Sequence, residues 1–204
     1  MNNSQKKSLS SACILVIGNE ILSGRTEDKN INFIAKRCDE IGVSIDEVRI
    51  IPDEIKIIKD TVLFCHKNFD YVFTTGGIGP THDDITTECI GSAFNLEVEV
   101  NKEALKRLKA HYNKLKVELN ESRIKMAKIP KGAELIDNPV SSAPGFIVEN
   151  IFVLPGVPKI LQAMFNGIED KIRGVTNIVS KNIVVYSAEG EIAELLESIQ
   201  GKYP

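Results

Sequence analysis

The chain has 204 residues, 43% of them hydrophobic and 26% charged, with a net charge of -3. That length carries one α/β domain with a sizeable core and room for a small appendage. The slight acidity gives no electrostatic case for nucleic acid or an anionic membrane, and no apolar run approaches membrane-spanning length.

Met1 to Ser11 is polar and lacks the apolar centre of a signal peptide, so it reads as a floppy tail. Cys13, Cys38, Cys65 and Cys89 form no C-x-x-C pair, and each lies in an apolar-periodic segment. They read as buried free thiols, and the chain as cytoplasmic.

Cys13-Ile14-Leu15-Val16-Ile17 is a continuous apolar run, the pattern of a strand buried on both faces. Gly18 to Gly24 ends it. Asp28 or Asn30 then opens a helix with Ile31, Ile34, Ala35, Cys38 and Ile41 at helical spacing, stopped by Gly42. Val43 to Ile51 is a second strand, and Pro52-Asp53 begins a helix through Ile55, Ile58, Val62 and Cys65. Tyr71 to Thr74 is a third strand, followed by a glycine loop and a helix from Ile85 to Phe94. This alternation predicts a parallel sheet covered on both sides.

The spacing of Leu105, Leu108, Tyr112, Leu115 and Leu119 predicts an amphipathic helix over Asn101 to Leu119, packed on its own sheet rather than serving as a lid or dimer helix. A short helix restarts near Asn120 and ends near Pro130. Short strands follow at Glu134 to Ile136 and Phe146 to Val148, joined by a turn-rich loop, with a buried strand at Ile151 to Leu154. Pro155-Gly156-Val157-Pro158 closes that strand, and a helix runs to about Arg173. Asn182 to Tyr186 and Glu191 to Ile199 read as strand plus helix, half of a small α+β unit cut short. The expected organisation is a tail over 1–11, a main domain over 12–173 and a partial appendage over 174–204.

The most specific stretch is Thr74-Thr75-Gly76-Gly77-Ile78-Gly79-Pro80-Thr81-His82-Asp83-Asp84-Ile85-Thr86. Strand, glycine turn and helix start together make an anion site: glycine lets backbone approach a ligand, and the N–H groups opening the helix point at it. The stretch is neither a Walker loop nor a dinucleotide fingerprint, since no Lys-Ser/Thr follows and the third glycine is missing. A capping box from Thr81 to Asp84 accounts for its tail alone.

Three unusual loops each follow a strand: Gly18 to Gly24, Gly76 to Asp84, and Pro155 to Pro158. Parallel strands gather such loops at one sheet edge, where open α/β sheets bind ligands. The glycines and the hydroxyls of Thr74, Thr75, Thr81 and Thr86 suit a phosphate. Asp83 and Asp84 repel one, unless they only cap the helix or hold a hard cation such as Mg²⁺ together with the substrate's phosphates. Glu20 is a candidate third ligand or general base, with helix capping as its plainer role; Asp28 reads as a cap. His66, His82 and His111 have no zinc spacing, no Gly-x-Ser-x-Gly elbow is present, and 6% aromatic residues without Trp give no stacking surface for nucleic acid.

On these motifs, with Gly18-Asn19-Glu20-Ile21-Leu22-Ser23-Gly24, Asn138-Pro139-Val140, Ala143-Pro144-Gly145-Phe146 and Leu154-Pro155-Gly156-Val157-Pro158, the chain resembles the molybdopterin-binding (MoaB/Mog-type) domain. More narrowly, it is similar to the N-terminal domain of the competence/damage-inducible protein A (CinA) family and to the related domain of eukaryotic FAD synthase. The match runs from about Ala12 to Ile172.

The resemblance implies a three-layer α/β/α fold with a mostly parallel sheet, and a loop over Thr74 to Gly79 that holds pterin or nucleotide phosphates. It also implies ligand contacts at Gly18, Gly24, Pro155 and Gly156, and a homodimer. The aspartate needed for adenylyl transfer falls on Asp84. The position before it, often Arg in those enzymes, is Asp83 here, which favours the competence-type branch over molybdopterin adenylylation. That branch implies metal-dependent hydrolysis of a nucleotide diphosphate of the ADP-ribose or FAD type, with Asp83, Asp84 and Glu20 holding Mg²⁺ or Co²⁺. Two rivals stand beside it: a module that binds molybdopterin or another phosphorylated ligand without turnover, and a scaffold acting through the Leu105 to Leu119 helix. The amidohydrolase domain of full-length relatives has no counterpart in this sequence, so its activity is not carried over.

Overall fold

The computed structural model describes residues 10–172 and 183–202. The chain starts with strand β1 (Ser10–Ile17), a single helical turn α1 (Asn19–Leu22), helix α2 (Asn30–Glu40) and strand β2 (Val43–Ile51). Helix α3 (Ile55–Asn68), strand β3 (Tyr71–Thr75) and helix α4 (Thr86–Ala93) follow. Next come β4 (Val98–Val100), α5 (Lys102–Leu115), α6 (Glu121–Ile124), β5 (Lys128–Pro130), β6 (Glu134–Ile136), β7 (Gly145–Val148), β8 (Ile151–Leu154) and α7 (Pro158–Asn166). Helix α8 (Glu189–Gln200) is the last element and buries no residue.

The six-stranded sheet has the order β2-β1-β3-β8-β7-β6. Pairs β1–β2, β1–β3 and β3–β8 are parallel, whereas β8–β7 and β7–β6 are antiparallel. From β1 the chain moves out through α2 to β2 and returns through α3 to β3 on the other side. A crevice therefore opens beyond the carboxyl ends of β1 and β3, the switch point at which such sheets bind ligands.

Both faces of the sheet are covered, which explains the unbroken apolar run of β1. Cys13, Leu15 and Ile17 join a core with Ile58, Val62 and Cys65 of α3, Ile90 of α4 and Leu108 of α5. Ala12, Ile14 and Val16 point the other way, against Ile34 and Cys38 of α2 and Leu161, Met164 and Phe165 of α7. Alternation along one strand thus feeds two cores, and the result is a three-layer α/β/α fold. Among the described residues no helix is long and apolar enough to cross a membrane.

Several expectations need correction, beginning with the tail over 1–11: Ser10 and Ser11 already belong to β1, paired with Val43 and Ser44 of β2. Helix α5 stops at Leu115, four residues before Leu119, because Lys116 takes a left-handed conformation at φ 56°. Leu119 still packs on the core beside Leu105 and Tyr112, so the apolar spacing reflects burial beyond the helix end. Asn101 caps α5 by accepting from the N–H groups of Glu103 and Ala104, each at 3.0 Å. The pair β4–β5 was not expected: three-residue strands, one ending in proline, carry no period. Helix α7 ends at Asn166, ahead of the expected Arg173, and a 3-10 turn at Glu169–Lys171 follows it. Residues 183–186 form no strand, and Asn182 lies outside the described residues.

Candidate functional site

The three strand-end loops meet. A cleft of about 470 Å³ is lined by the ends of β1 and β3 and by the Gly76–Asp84 and Pro155–Pro158 loops, with Ile21, Ile78, Pro80 and Val157 among its apolar walls. A second, polar lobe of about 410 Å³ is lined by Glu20, Arg25, Asp53, Thr81, Asp83 and Asp84. Ile17, Glu20, Thr26, Gly77 and Asp84 line both lobes. The volumes lie in the ordinary range for small-molecule sites.

Two glycines are required by the geometry. Gly76 sits at φ +97° so close to β1 that a Cβ would lie 2.2 Å from the Ile17 carbonyl oxygen. Gly77 has φ +68°, and a Cβ there would lie 2.0 Å from Thr86 Oγ1. The loop is tied at both ends: Gly76 N–H donates to Leu154 O at 3.1 Å, and Thr86 N–H donates to Gly77 O at 2.9 Å. The N–H groups of Gly77, Ile78 and Gly79 have no hydrogen-bond partner among the described residues. Together with the start of α4 they form an anion-binding concavity.

Asp83 and Asp84 fold around Thr81. Asp84 accepts from Thr81 N–H at 2.8 Å, and the Thr81 hydroxyl contacts both carboxylates. The Thr81 hydroxyl, followed by Asp83's own backbone N–H, holds the Asp83 carboxyl below the usual carboxylate range. Lys125 Nζ donates to Thr81 O at 2.6 Å and braces the same turn. The expected capping box is half made, since Asp84 takes the Thr81 N–H but α4 begins only at Thr86. The two aspartates therefore belong to the loop that precedes the helix.

Glu20 lies in the first turn of α1, with its carboxylate folded over Gly18, where a Cβ would meet Oε1 at 2.7 Å. It makes no side-chain hydrogen bond among the described residues. The capping role belongs to Asp28 instead, which accepts from Asn30 N–H at 2.9 Å and Ile31 N–H at 2.8 Å. Gly18 N–H donates to Ile51 O at 3.1 Å, and Gly24 turns the chain at φ +70°. Pro155 and Gly156 line the apolar lobe, and the Asn30 amide donates to Gly156 O at 2.8 Å, joining α2 to the third loop.

Not every residue read from the sequence faces the cleft. Thr74 and Thr75 are both buried; Thr75, the last residue of β3, lines the cleft, whereas Thr74 lines neither lobe and its Oγ1 has no partner among the described residues. Thr86 is also buried, and its hydroxyl lies beneath Gly77. Asp53, Arg25 and Asn30 line the cleft unannounced. Asp53 reads as a helix opener, yet α3 starts at Ile55 and the Asp53 carboxylate accepts from Asn19 N–H at 2.8 Å.

Among the described residues, no three His, Cys, Asp or Glu side chains come close enough to hold one ion. Glu20, Asp83 and Asp84 thus make no closed protein cage. Two carboxylates on one turn do fit a Mg²⁺-type ion whose shell is completed by substrate phosphate and water. The cysteines stand apart from this chemistry: all four are buried, burial pushes the Cys38 thiol up to about 12 and Cys89 up to about 11, and neither is a ready nucleophile.

Residues 13–173 match the family profile described as "Probable molybdopterin binding domain", and the chain belongs to that family. Its relatives include a CinA-like protein of Sulfurihydrogenibium sp., 39% identical over 160 residues, covering 76% of this chain and 40% of that protein. A protein of Caldivirga maquilingensis is 39% identical over 159 residues, or 76% of this chain and 62% of its own length. The chain thus spans less than two thirds of both. A protein of Pyrococcus abyssi is 34% identical over 203 residues, 93% of this chain and 81% of that one. The crystal structure of the protein CinA from Thermoplasma acidophilum, of unknown function, aligns with a TM-score of 0.73 at 32% identity, over 80% of this chain and 98% of that one. The molybdopterin biosynthesis enzyme MoaB of Thermus thermophilus shares the fold, with a TM-score of 0.52 at 16% identity over 80% and 91% of the two chains.

Proposed function

We propose that the chain binds a phosphorylated nucleotide-type ligand in this cleft and cleaves its diphosphate in a cation-dependent hydrolysis, with ADP-ribose or FAD as the substrate type. One observation carries the reading: an apolar lobe sized for a ring system and a carboxylate lobe meet at Asp84 and Glu20, below a glycine loop whose N–H groups are unpaired among the described residues. A ring in the first lobe places its phosphates at the second.

Asp84 and Asp83 are the residues to hold Mg²⁺ or Co²⁺, and the bound cation would supply charge neutralisation on the phosphoryl oxygens. Glu20, whose carboxylate is uncommitted, orients a water and takes its proton. The Gly77, Ile78 and Gly79 N–H groups meet the charge that develops on phosphate oxygens during cleavage. Thr81 and Lys125 keep the aspartate turn in shape. The binding unit in this reading spans 12–173, residues 174–204 form a separate appendage, and the working form is a cytoplasmic homodimer.

Release of AMP from ADP-ribose and FAD, with and without divalent cation, tests the proposal. Asp84→Ala is expected to abolish cation-dependent release while the circular-dichroism spectrum stays unchanged. Undiminished release in the variant would refute the role given to Asp84. A second reading, binding of molybdopterin or a related ligand without turnover, is favoured by the absence of a three-ligand cluster among the described residues. Thermal stabilisation by such a ligand with no product release would select it.

A further inference from the structure

The polar lobe contains a guanidinium that the fold leaves uncommitted. Arg25 follows the turn at Gly24 and lines the lobe together with four carboxylates, those of Glu20, Asp53, Asp83 and Asp84. Its Nε donates to Ser23 Oγ at 3.1 Å, and that hydroxyl in turn reaches Glu20 O at 3.3 Å. The turn itself is closed by Gly24 N–H on Ile21 O at 3.0 Å. This fixes the Nε edge of the side chain. Among the described residues the two Nη groups have no hydrogen-bond partner, and Arg25 makes no ion pair within 4.0 Å.

An exposed arginine beside four carboxylates would ordinarily close on one of them. Here its Nε is bonded to Ser23, and among the described residues the guanidinium pairs with none of the four. Guanidinium donors in fixed fork geometry match the paired oxygens of a phosphate. The same lobe is otherwise hostile to a phosphate, because its remaining charged side chains are acidic.

We propose that Arg25 is the residue that grips a ligand phosphate in the polar lobe, and that it sets the preference of the cleft for phosphorylated ligands. The proposal rests on the reading of the cleft as a site for a phosphorylated ligand. The phosphate is held jointly by the Arg25 fork and the glycine-loop N–H groups. Selectivity then follows from charge: a ligand without phosphate gains nothing from Arg25, while a diphosphate gains most.

The test is calorimetric titration of the full chain with inorganic pyrophosphate, ADP, AMP and adenosine, each with and without Mg²⁺, comparing wild type with Arg25→Gln and Arg25→Lys. Arg25→Gln is expected to weaken ADP and pyrophosphate about 10- to 100-fold, the worth of hydrogen bonds to a charged group. AMP should weaken less and adenosine not at all. Arg25→Lys should recover only part of the loss, since an ammonium lacks the fork.

Unchanged ADP and pyrophosphate affinity in Arg25→Gln would overturn the proposal. So would an equal loss for adenosine and ADP, which would mark a role in shaping the loop. Pyrophosphate separates the two layers of argument. If wild type binds pyrophosphate but no nucleotide, the nucleotide reading falls, and Arg25→Gln still decides for or against Arg25. If wild type binds no phosphate-bearing probe, both fall together.

Discussion

Replacing Gly77 by alanine tests the geometry of the loop most directly. An L-residue at φ +68° carries left-handed strain of about 1–2 kcal/mol. The new methyl would also lie 2.0 Å from Thr86 Oγ1 and 3.0 Å from Thr86 Cβ. Thr86 is fully buried and cannot swing away, so overpacking adds about 1–3 kcal/mol. The expected loss is about 2–5 kcal/mol from a total that for most domains is about 5–15 kcal/mol. At about 2–4 °C per kcal/mol for a chain of this size, the melting temperature falls by about 4–20 °C. Gly24→Ala is the control: it has φ +70° with nothing within 4 Å of its Cβ, so strain alone remains. Urea unfolding of the two variants, and of Gly77→Ala combined with Thr86→Ala, separates the terms. Removing the Thr86 hydroxyl and methyl should restore part of the stability lost at Gly77 but none of that lost at Gly24. Equal losses at both glycines, or no coupling between 77 and 86, would refute the packing argument.

Other outcomes follow from the same site and core. Thr81→Val removes the hydroxyl that chiefly depresses Asp83, so the Asp83 midpoint should rise in a carboxyl NMR titration; an unmoved midpoint would count against the Thr81–Asp83 contact. Because the folded value is depressed, wild-type Asp83 contributes stability above its unfolded pKa and loses it as pH falls through its lower folded value. Wild type should therefore lose stability more steeply than Thr81→Val as pH falls below about 4, as measured by urea unfolding across that range. All four cysteines are buried, and Cys13 Sγ lies 3.7 Å from Cys65 Sγ within the core. An aromatic disulfide reagent should thus find no reactive thiol in the native chain and all four after guanidinium unfolding. Rapid labelling of the native chain would show that the packing between β1 and α3 opens.

Much of the architecture was legible because it rests on local pattern. The apolar run Cys13 to Ile17 belongs to a strand buried on both faces, and Gly42, at φ +77°, ends α2 as its position indicated. The convergence of three loops followed from reading the strands as parallel, and the register of β1, β3 and β8 delivers it. The antiparallel edge was legible only as two short strands. Pairing direction is set by the 138–144 connection and by the two-residue Glu149–Asn150 turn, which makes β7–β8 a local hairpin, and apolar spacing alone carries no record of either. The end of α5 escaped for a related reason: Leu119 keeps helical spacing while the backbone leaves the helix at Lys116.

The sequence alone determined which segments must be buried and where a glycine loop meets a helix start, because hydrophobic period and permitted φ angles are properties of neighbouring residues. Only the tertiary structure decided which side chains share the cleft. Thr74 and Thr75 are adjacent in the motif and both buried, yet Thr75 at the end of β3 borders the cleft and Thr74 does not. Asp53, read as a helix start, and Arg25 meet Asp83 and Asp84 because β1 pairs with β2 on one side and β3 on the other, so the three strands end side by side. Their carboxylates and guanidinium share one lobe through strand order, a long-range property that no local pattern of residues encodes.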